Sequence, residues 1–207
     1  MNPDKWEEFR ALFRPYPEVQ VTPPEGLIRN PEKLALVETH NTYLENSIAK
    51  ARLVNQGCHY PALADDTGLE VDALDRKPGI HTFRYAKPAP GQPAFSKAAQ
   101  CEANIQLLLN ELKKTSASSR AARFVTVLAL NMEGILIHST GVLEGSIADS
   151  PRGSYGFGYD PIFIPQGSQK TLAEMTEGEK NAISHRARAV QDLMEQVRAR
   201  GIVFAKP

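Results

Sequence analysis

Cysteine is almost missing from this chain: two in 207 residues, Cys58 and Cys101, with no Cys-x-x-Cys pair. That excludes a disulfide-stapled secreted scaffold and a zinc knuckle, and it suits a reducing compartment, so the expected location is cytoplasmic. Neither sign of charge is in excess, since 24 Lys plus Arg meet 24 Asp plus Glu. No global basic field exists to grip a nucleic-acid backbone and no acidic surplus suggests disorder, so an anionic partner has to be held locally and nucleic acid is not expected. No apolar run approaches the roughly 20 residues of a membrane span, and residues 1–30, charged and proline-rich, lack a signal-peptide core. The chain is expected to be neither exported nor inserted. It also has no Gly-Lys-[Ser/Thr] phosphate loop and no Rossmann glycine fingerprint.

What is present fits one domain, residues 1–207, long enough to bury a core without covalent staples. A helix starts almost at once in "MNPDKWEEFRALF", with Asn2 able to cap, Pro3 at the first helical position, and Trp6, Phe9 and Phe13 on one face. Residues 15–41 carry five prolines and read as loop, with at most a short strand at Val19–Val21. Further helices are expected at Thr42–Gln56, with Leu44, Ile48 and Ala51 inward and Gly57 as C-terminal cap, at Ser96–Lys114, and at residues 177–200 with a break near Ser184. Strands are expected at Ala62–Ala64, Leu69–Ala73, Phe124–Met132, Ile135–Thr140, Leu143–Ala148 and Pro161–Ile164, with Glu133-Gly134 as a hairpin turn. Helices and strands alternate without a regular βαβ repeat, which predicts a mixed α/β fold around one long sheet.

Four stretches carry chemistry. In "LADDTGLEVDAL", Asp65-Asp66-Thr67-Gly68 reads either as a turn or as the end of a strand delivering two carboxylates to the edge of a sheet. Adjacent carboxylates raise each other's pKa unless a cation or a division of labour intervenes, and Mg²⁺ is the natural cation. In "THNTYLENSIAKA", Thr42-x-x-Glu45 fits a capping box, and Glu45 fits metal binding equally well; Lys50 can be a solvated surface charge. "PRGSYGFGYDPIFIP" gathers Gly153, Gly156 and Gly158 around Phe157, Tyr159 and Asp160, which suits either a flexible loop or a clamp in which an aromatic stacks on a planar base. "EGEKNAISHRARA" follows a possible second capping box, Thr176 to Glu179, and offers Ser184 as the cap of a restarted helix. His185 and Arg186 then fall in its first turn, where the helix dipole disfavours cations.

Taken together and in order, "NPDKWEE", "ETHNTYLENSIAKA", "ADDTGLEVDAL", "PGIHTFRYA", "RAARF", "PRGSYGFGYDPIF" and "KTLAEMTEGEKNAISHRARA" resemble one family, the inosine triphosphate pyrophosphatase or Ham1-type enzymes. The resemblance runs from Asn2 to about Val197. It implies an elongated mixed sheet flanked by helices, in two lobes with a central substrate cleft, and a Mg²⁺-dependent homodimer. The implied reaction is hydrolysis of inosine, deoxyinosine or xanthosine triphosphate to the monophosphate and pyrophosphate. Asp66 matches the proton acceptor and a metal ligand, with Glu45 and Asp65 as further metal-associated carboxylates. Asn2, Lys5 and Thr67 match substrate contacts, Phe157, Gly158, Tyr159 and Asp160 match the base-binding loop, and Lys180, His185 and Arg186 match residues that hold the base.

Members of the family open with an apolar strand ending in Thr/Ser-x-Asn-x-x-Lys, whereas this chain starts at Met1-Asn2-Pro3-Asp4-Lys5 and keeps only Asn2 and Lys5 of that turn. A second reading follows from that difference: a purine-nucleotide-binding paralogue with weakened or no catalysis. The segment "IHTFRYA" also differs, with Phe83 where the family has a small residue.

Overall fold

The computed structural model describes residues 3–24, 26–27, 39–116, 119–132 and 134–204. Asn2, most of the second half of the proline-rich stretch and Glu133 lie outside the described residues. Helix α1 spans Pro3–Leu12, α2 Tyr43–Cys58, α3 Lys97–Lys114, α4 Glu177–Ile183 and α5 His185–Ala199. Strand β1 spans Ala62–Val71, β2 Lys77–Gly79, β3 Ala121–Met132, β4 Ile135–Ile147 and β5 Phe163–Pro165. The five form one sheet in the order β2-β1-β3-β4-β5. The pairs β1–β2 and β4–β5 are antiparallel, with Glu70 opposite Pro78 and Ser146 opposite Ile164. The mixed α/β expectation therefore holds.

Several strands are longer than their sequence pattern predicts. The two segments expected on either side of Asp65-Asp66 are one strand, β1, and the two expected on either side of Gly141 are one strand, β4. Gly141 does not break β4; it makes room. A Cβ there would lie 1.8 Å from the backbone oxygen of His185, so the first turn of α5 rests directly on the strand. The short strand expected at Val19–Val21 is irregular chain, although both valines pack against the core. Residues 160–162 form a 3-10 turn before β5 rather than the start of a strand.

The chain divides into two compact units. The first comprises residues 1–66, 126–142 and 183–207, and the second residues 67–125 and 143–182. In the first, α1 and α5 cover the strands: Phe13, Leu128, Leu130, Ile137, Val190, Leu193 and Val197 are buried, with Phe9 and Leu12 against them. Each such side chain contributes about 1.5–3 kcal/mol of transfer free energy. Ser184 caps α5, its hydroxyl accepting from the Ala187 amide at 3.1 Å, so the expected break is real. On α2, Thr42 caps as expected, but the C-terminal cap is His59 at φ 59° instead of Gly57. The inner face of α2 also differs from expectation: Asn46, Ser47 and Ala51 are buried, while Leu44 and Ile48 are half-buried. In the second unit α3 buries Ile105, Leu108, Leu109 and Leu112, and the Phe124 and Phe163 rings meet at 4.7 Å.

Candidate active site

Asp65 and Asp66 sit inside β1, neither in a turn nor at a strand end. The two acids are adjacent in sequence, and each meets its own ammonium. Lys5 Nζ on α1 lies 2.7 Å from Asp65 Oδ2, and Lys50 Nζ on α2 lies 3.1 Å from Asp66 Oδ1. Lys50 also donates to the backbone oxygen of Asp65, and its side chain is only 11% exposed, so it is no solvated surface charge. Burial alone would push the Asp65 pKa up; the charges of Lys5, Arg186 and Lys50 outweigh it and hold the carboxyl well below its usual range. For Lys5 the balance differs: burial, helped by Arg186 and Lys50, lowers its pKa against the opposing pull of Asp65.

Helix α1 contributes a second charge to the same cluster. Lys5 and Glu8 stand three residues apart, hence on one face of the helix, and Glu8 is its buried residue. Glu8 Oε2 accepts from Arg186 Nη1 at 3.0 Å, and Arg186 Nε lies 3.9 Å from Asp65 Oδ2. This resolves the conflict visible in the sequence: a cation in the first turn of α5 is stabilised by a buried carboxylate of α1. Lys5, Lys50 and Arg186 thus face Glu8, Asp65 and Asp66, three cations against three carboxylates. His185, beside Arg186, is buried at 2% exposure.

Glu45 is held elsewhere. The Thr42 hydroxyl donates to its carboxylate at 2.8 Å and accepts from its amide at 3.1 Å, so the capping reading is realised. Its side chain lines a cavity of about 300 Å³ with His40, Ile48, Ala49 and Arg52. Among the described residues no three of His, Cys, Asp and Glu converge on one point, so Glu45 does not join Asp65 and Asp66 in a ready-made metal cage. The donors present nonetheless fit Mg²⁺, which keeps several waters and takes one or two carboxylates together with substrate phosphates.

In the second unit the glycine-rich loop is braced by Asp160. This side chain, 5% exposed, accepts from the Phe157 amide at 2.9 Å and from Lys180 Nζ at 2.7 Å. Lys180 Nζ also lies 4.9 Å from the centre of the Phe157 ring. Gly156, at φ +75°, is required here, because a Cβ would fall 2.1 Å from Asp160 Oδ2. Gly158 has φ +64° and open space around it. Tyr159 turns inward: it is buried, and its hydroxyl donates to the Thr82 carbonyl at 3.0 Å. Burial raises its pKa far above the ordinary phenol value. Thr67 is half-buried on β1. The second capping box is formed, with the Thr176 amide donating to Glu179 at 2.7 Å and holding that carboxyl down to about 2.

The structure therefore brings together Lys5, Asp65, Asp66 and Arg186 in one unit, and Phe157, Asp160 and Lys180 in the other. Glu8 and Asn46 were not anticipated. The signal for both is a polar residue on a buried helical face: Glu8 three residues from Lys5, and Asn46 four from Lys50.

The sequence model of the Ham1 family matches residues 1–196. The chain belongs to the Ham1 family. It is 39% identical over 200 residues to the dITP/XTP pyrophosphatase of Bacillus subtilis, covering 96% of this chain and 94% of that protein. It is 39% identical to the protein of that name from Aquifex aeolicus, over 93% of this chain and 91% of the other. Among solved structures, a HAM1 protein from Coxiella burnetii superposes with a TM-score of 0.78 at 36% identity, covering 96% and 95% of the two chains. The Ham1 protein of Staphylococcus aureus gives 0.76 at 32% identity, with the same coverage. The names of the sequence relatives are those of enzymes, and nothing in these similarities favours a non-catalytic paralogue. Among the described residues no helix is long and apolar enough to cross a membrane.

Proposed function

We propose that this Ham1-family chain hydrolyses inosine, deoxyinosine and xanthosine triphosphates to the monophosphate and pyrophosphate. The observation that carries the reading is the pair of adjacent carboxylates on β1, paired with separate lysines 2.7 and 3.1 Å away, in a chain about 39% identical to dITP/XTP pyrophosphatases. Asp66 accepts a proton from the water that attacks phosphorus; the P–O bond to the departing pyrophosphate breaks, and the water oxygen stays on the monophosphate. Lys5 is a cation within reach of anionic oxygens, able to exchange its carboxylate partner for a phosphate. Asp66 and Asp65 would hold Mg²⁺, which supplies charge neutralisation and polarisation of the bond to be broken. Glu45 would add a further carboxylate to the surroundings of that ion.

Base selection falls to Phe157, Gly158, Tyr159, Asp160, Lys180, His185 and Arg186, with Asn2 and Thr67 as further substrate contacts. The Phe157 ring stacks on the purine, and Tyr159 supports the loop from beneath. Donors from His185 and Arg186 favour an oxygen at the six-position over the amine of adenine, because an unmatched buried donor is costly. The protein acts as a homodimer in the cytoplasm. The test is pyrophosphate release from inosine triphosphate with Mg²⁺: Asp66→Asn, with an unchanged circular-dichroism spectrum, releases it about 10²–10⁴-fold more slowly than the wild-type chain. Release by Asp66→Asn at the wild-type rate removes Asp66 from this role.

A further inference from the structure

Asn46 is a buried side chain, 3% exposed, on the inner face of α2. Its neighbours leave its amide one orientation. The backbone N–H of His40 can only donate, and it reaches Asn46 Oδ1 at 3.1 Å. The carboxylate of Asp66, which pairs with Lys50, is an acceptor, and Asn46 Nδ2 lies 3.2 Å from Asp66 Oδ2. The same Nδ2 is 3.5 Å from the His40 carbonyl. One helical turn later, Lys50 Nζ is 3.1 Å from the other oxygen, Asp66 Oδ1. Two residues four apart on one helix therefore take one carboxylate oxygen each.

We infer that Asn46 is a positioning residue for Asp66: with Lys50 it fixes the plane of the carboxylate and so the direction in which its oxygens meet the attacking water. An ammonium alone cannot do this, because it is a point charge with rotatable donors and the terminal torsion of Asp is soft. A second donor on the other oxygen removes that freedom. An amide suits both neighbours at once, its oxygen accepting from the obligatory donor and its nitrogen donating to the obligatory acceptor. Leucine, of similar size, would leave Asp66 Oδ2 without this donor, and aspartate would set a like charge beside it. Asn46 also ties the chain at His40 to the carboxylate, so α2 and the segment before it hold one atom group.

This inference rests on Asp66 being the proton acceptor, and a double-mutant cycle separates the two claims. Asn46→Leu is expected to lower kcat for inosine triphosphate by about 10–100-fold while KM changes less than about threefold. In an Asp66→Asn background the same substitution is expected to change the residual rate less than about twofold, because its effect passes through Asp66. A purely structural Asn46 would lower both rates by the same factor, and that result overturns the inference. So does an Asn46→Leu enzyme within about twofold of wild-type kcat. If Asn46→Leu does not fold, Asn46→Ala, which also removes the donor, is read in the same cycle with the same criteria. Full activity of Asp66→Asn overturns the role of Asp66 itself, independently of Asn46.

Discussion

Glu8 of α1 and Arg186 of α5 form a buried ion pair, Oε2 to Nη1 3.0 Å, between residues 178 positions apart, with side chains 7% and 4% exposed. Both are nearly removed from water, so each depends on the other. Removing one member of such a pair strands a buried charge and costs about 3–5 kcal/mol. Glu8→Ala should lower the urea midpoint accordingly without changing the slope of the transition. A midpoint within experimental error of wild type would mean that Arg186 has another equally good partner.

Asp65 gives a pH dependence with a definite sign. Its folded-state pKa lies below the unfolded value of about 3.9, so the folded protein binds fewer protons than the unfolded one through that range. The stability from its ionised form is complete above the unfolded pKa and is lost as pH falls toward the folded one. Denaturant midpoints measured between about pH 2 and 6 should decline on the acid side in wild type, and less steeply in Asp65→Asn. Equal slopes would contradict the pairing of Asp65 with Lys5, Arg186 and Lys50.

Gly156 is an exacting position of the second-unit loop. Alanine there has to adopt φ near +75° and place its Cβ on the Asp160 carboxylate. The left-handed backbone costs about 1–2 kcal/mol, roughly tenfold in affinity, before any loss of the Asp160 bonds to Phe157 and Lys180. Gly156→Ala should raise KM for inosine triphosphate by at least about tenfold with a smaller change in kcat. Gly158→Ala meets open space and should be the milder of the two.

Much of this site was legible in the sequence because its residues are spaced along short motifs. Ser184 announced the restart of the helix and Thr42 and Thr176 their caps, while family resemblance singled out Lys5, Asp65, Asp66 and Arg186 without the ion pairs that join them. Asp65-Asp66-Thr67-Gly68 misled for a physical reason. Asp, Thr and Gly favour turns locally, but a strand can carry two adjacent acids when each is met by a lysine of its own. Glu45 kept two readings because one pattern, an acid three residues after a threonine, serves capping and metal binding alike; the capping one is realised. Glu8, Lys50 and Asn46 were hidden for the opposite reason. A polar residue on a helix looks solvated until its partner, far away in sequence, is known.

The central claim is that this chain selects nucleotides by the six-position of the purine and breaks them to pyrophosphate. Its most direct test is the ratio of kcat/KM for inosine triphosphate to that for adenosine triphosphate, measured by pyrophosphate release with Mg²⁺. A site built to match one hydrogen-bonding pattern rejects the mismatched base by about 10²–10⁵, and a ratio of at least a hundred is expected. Equal values for the two nucleotides, or release of orthophosphate in place of pyrophosphate, would contradict it.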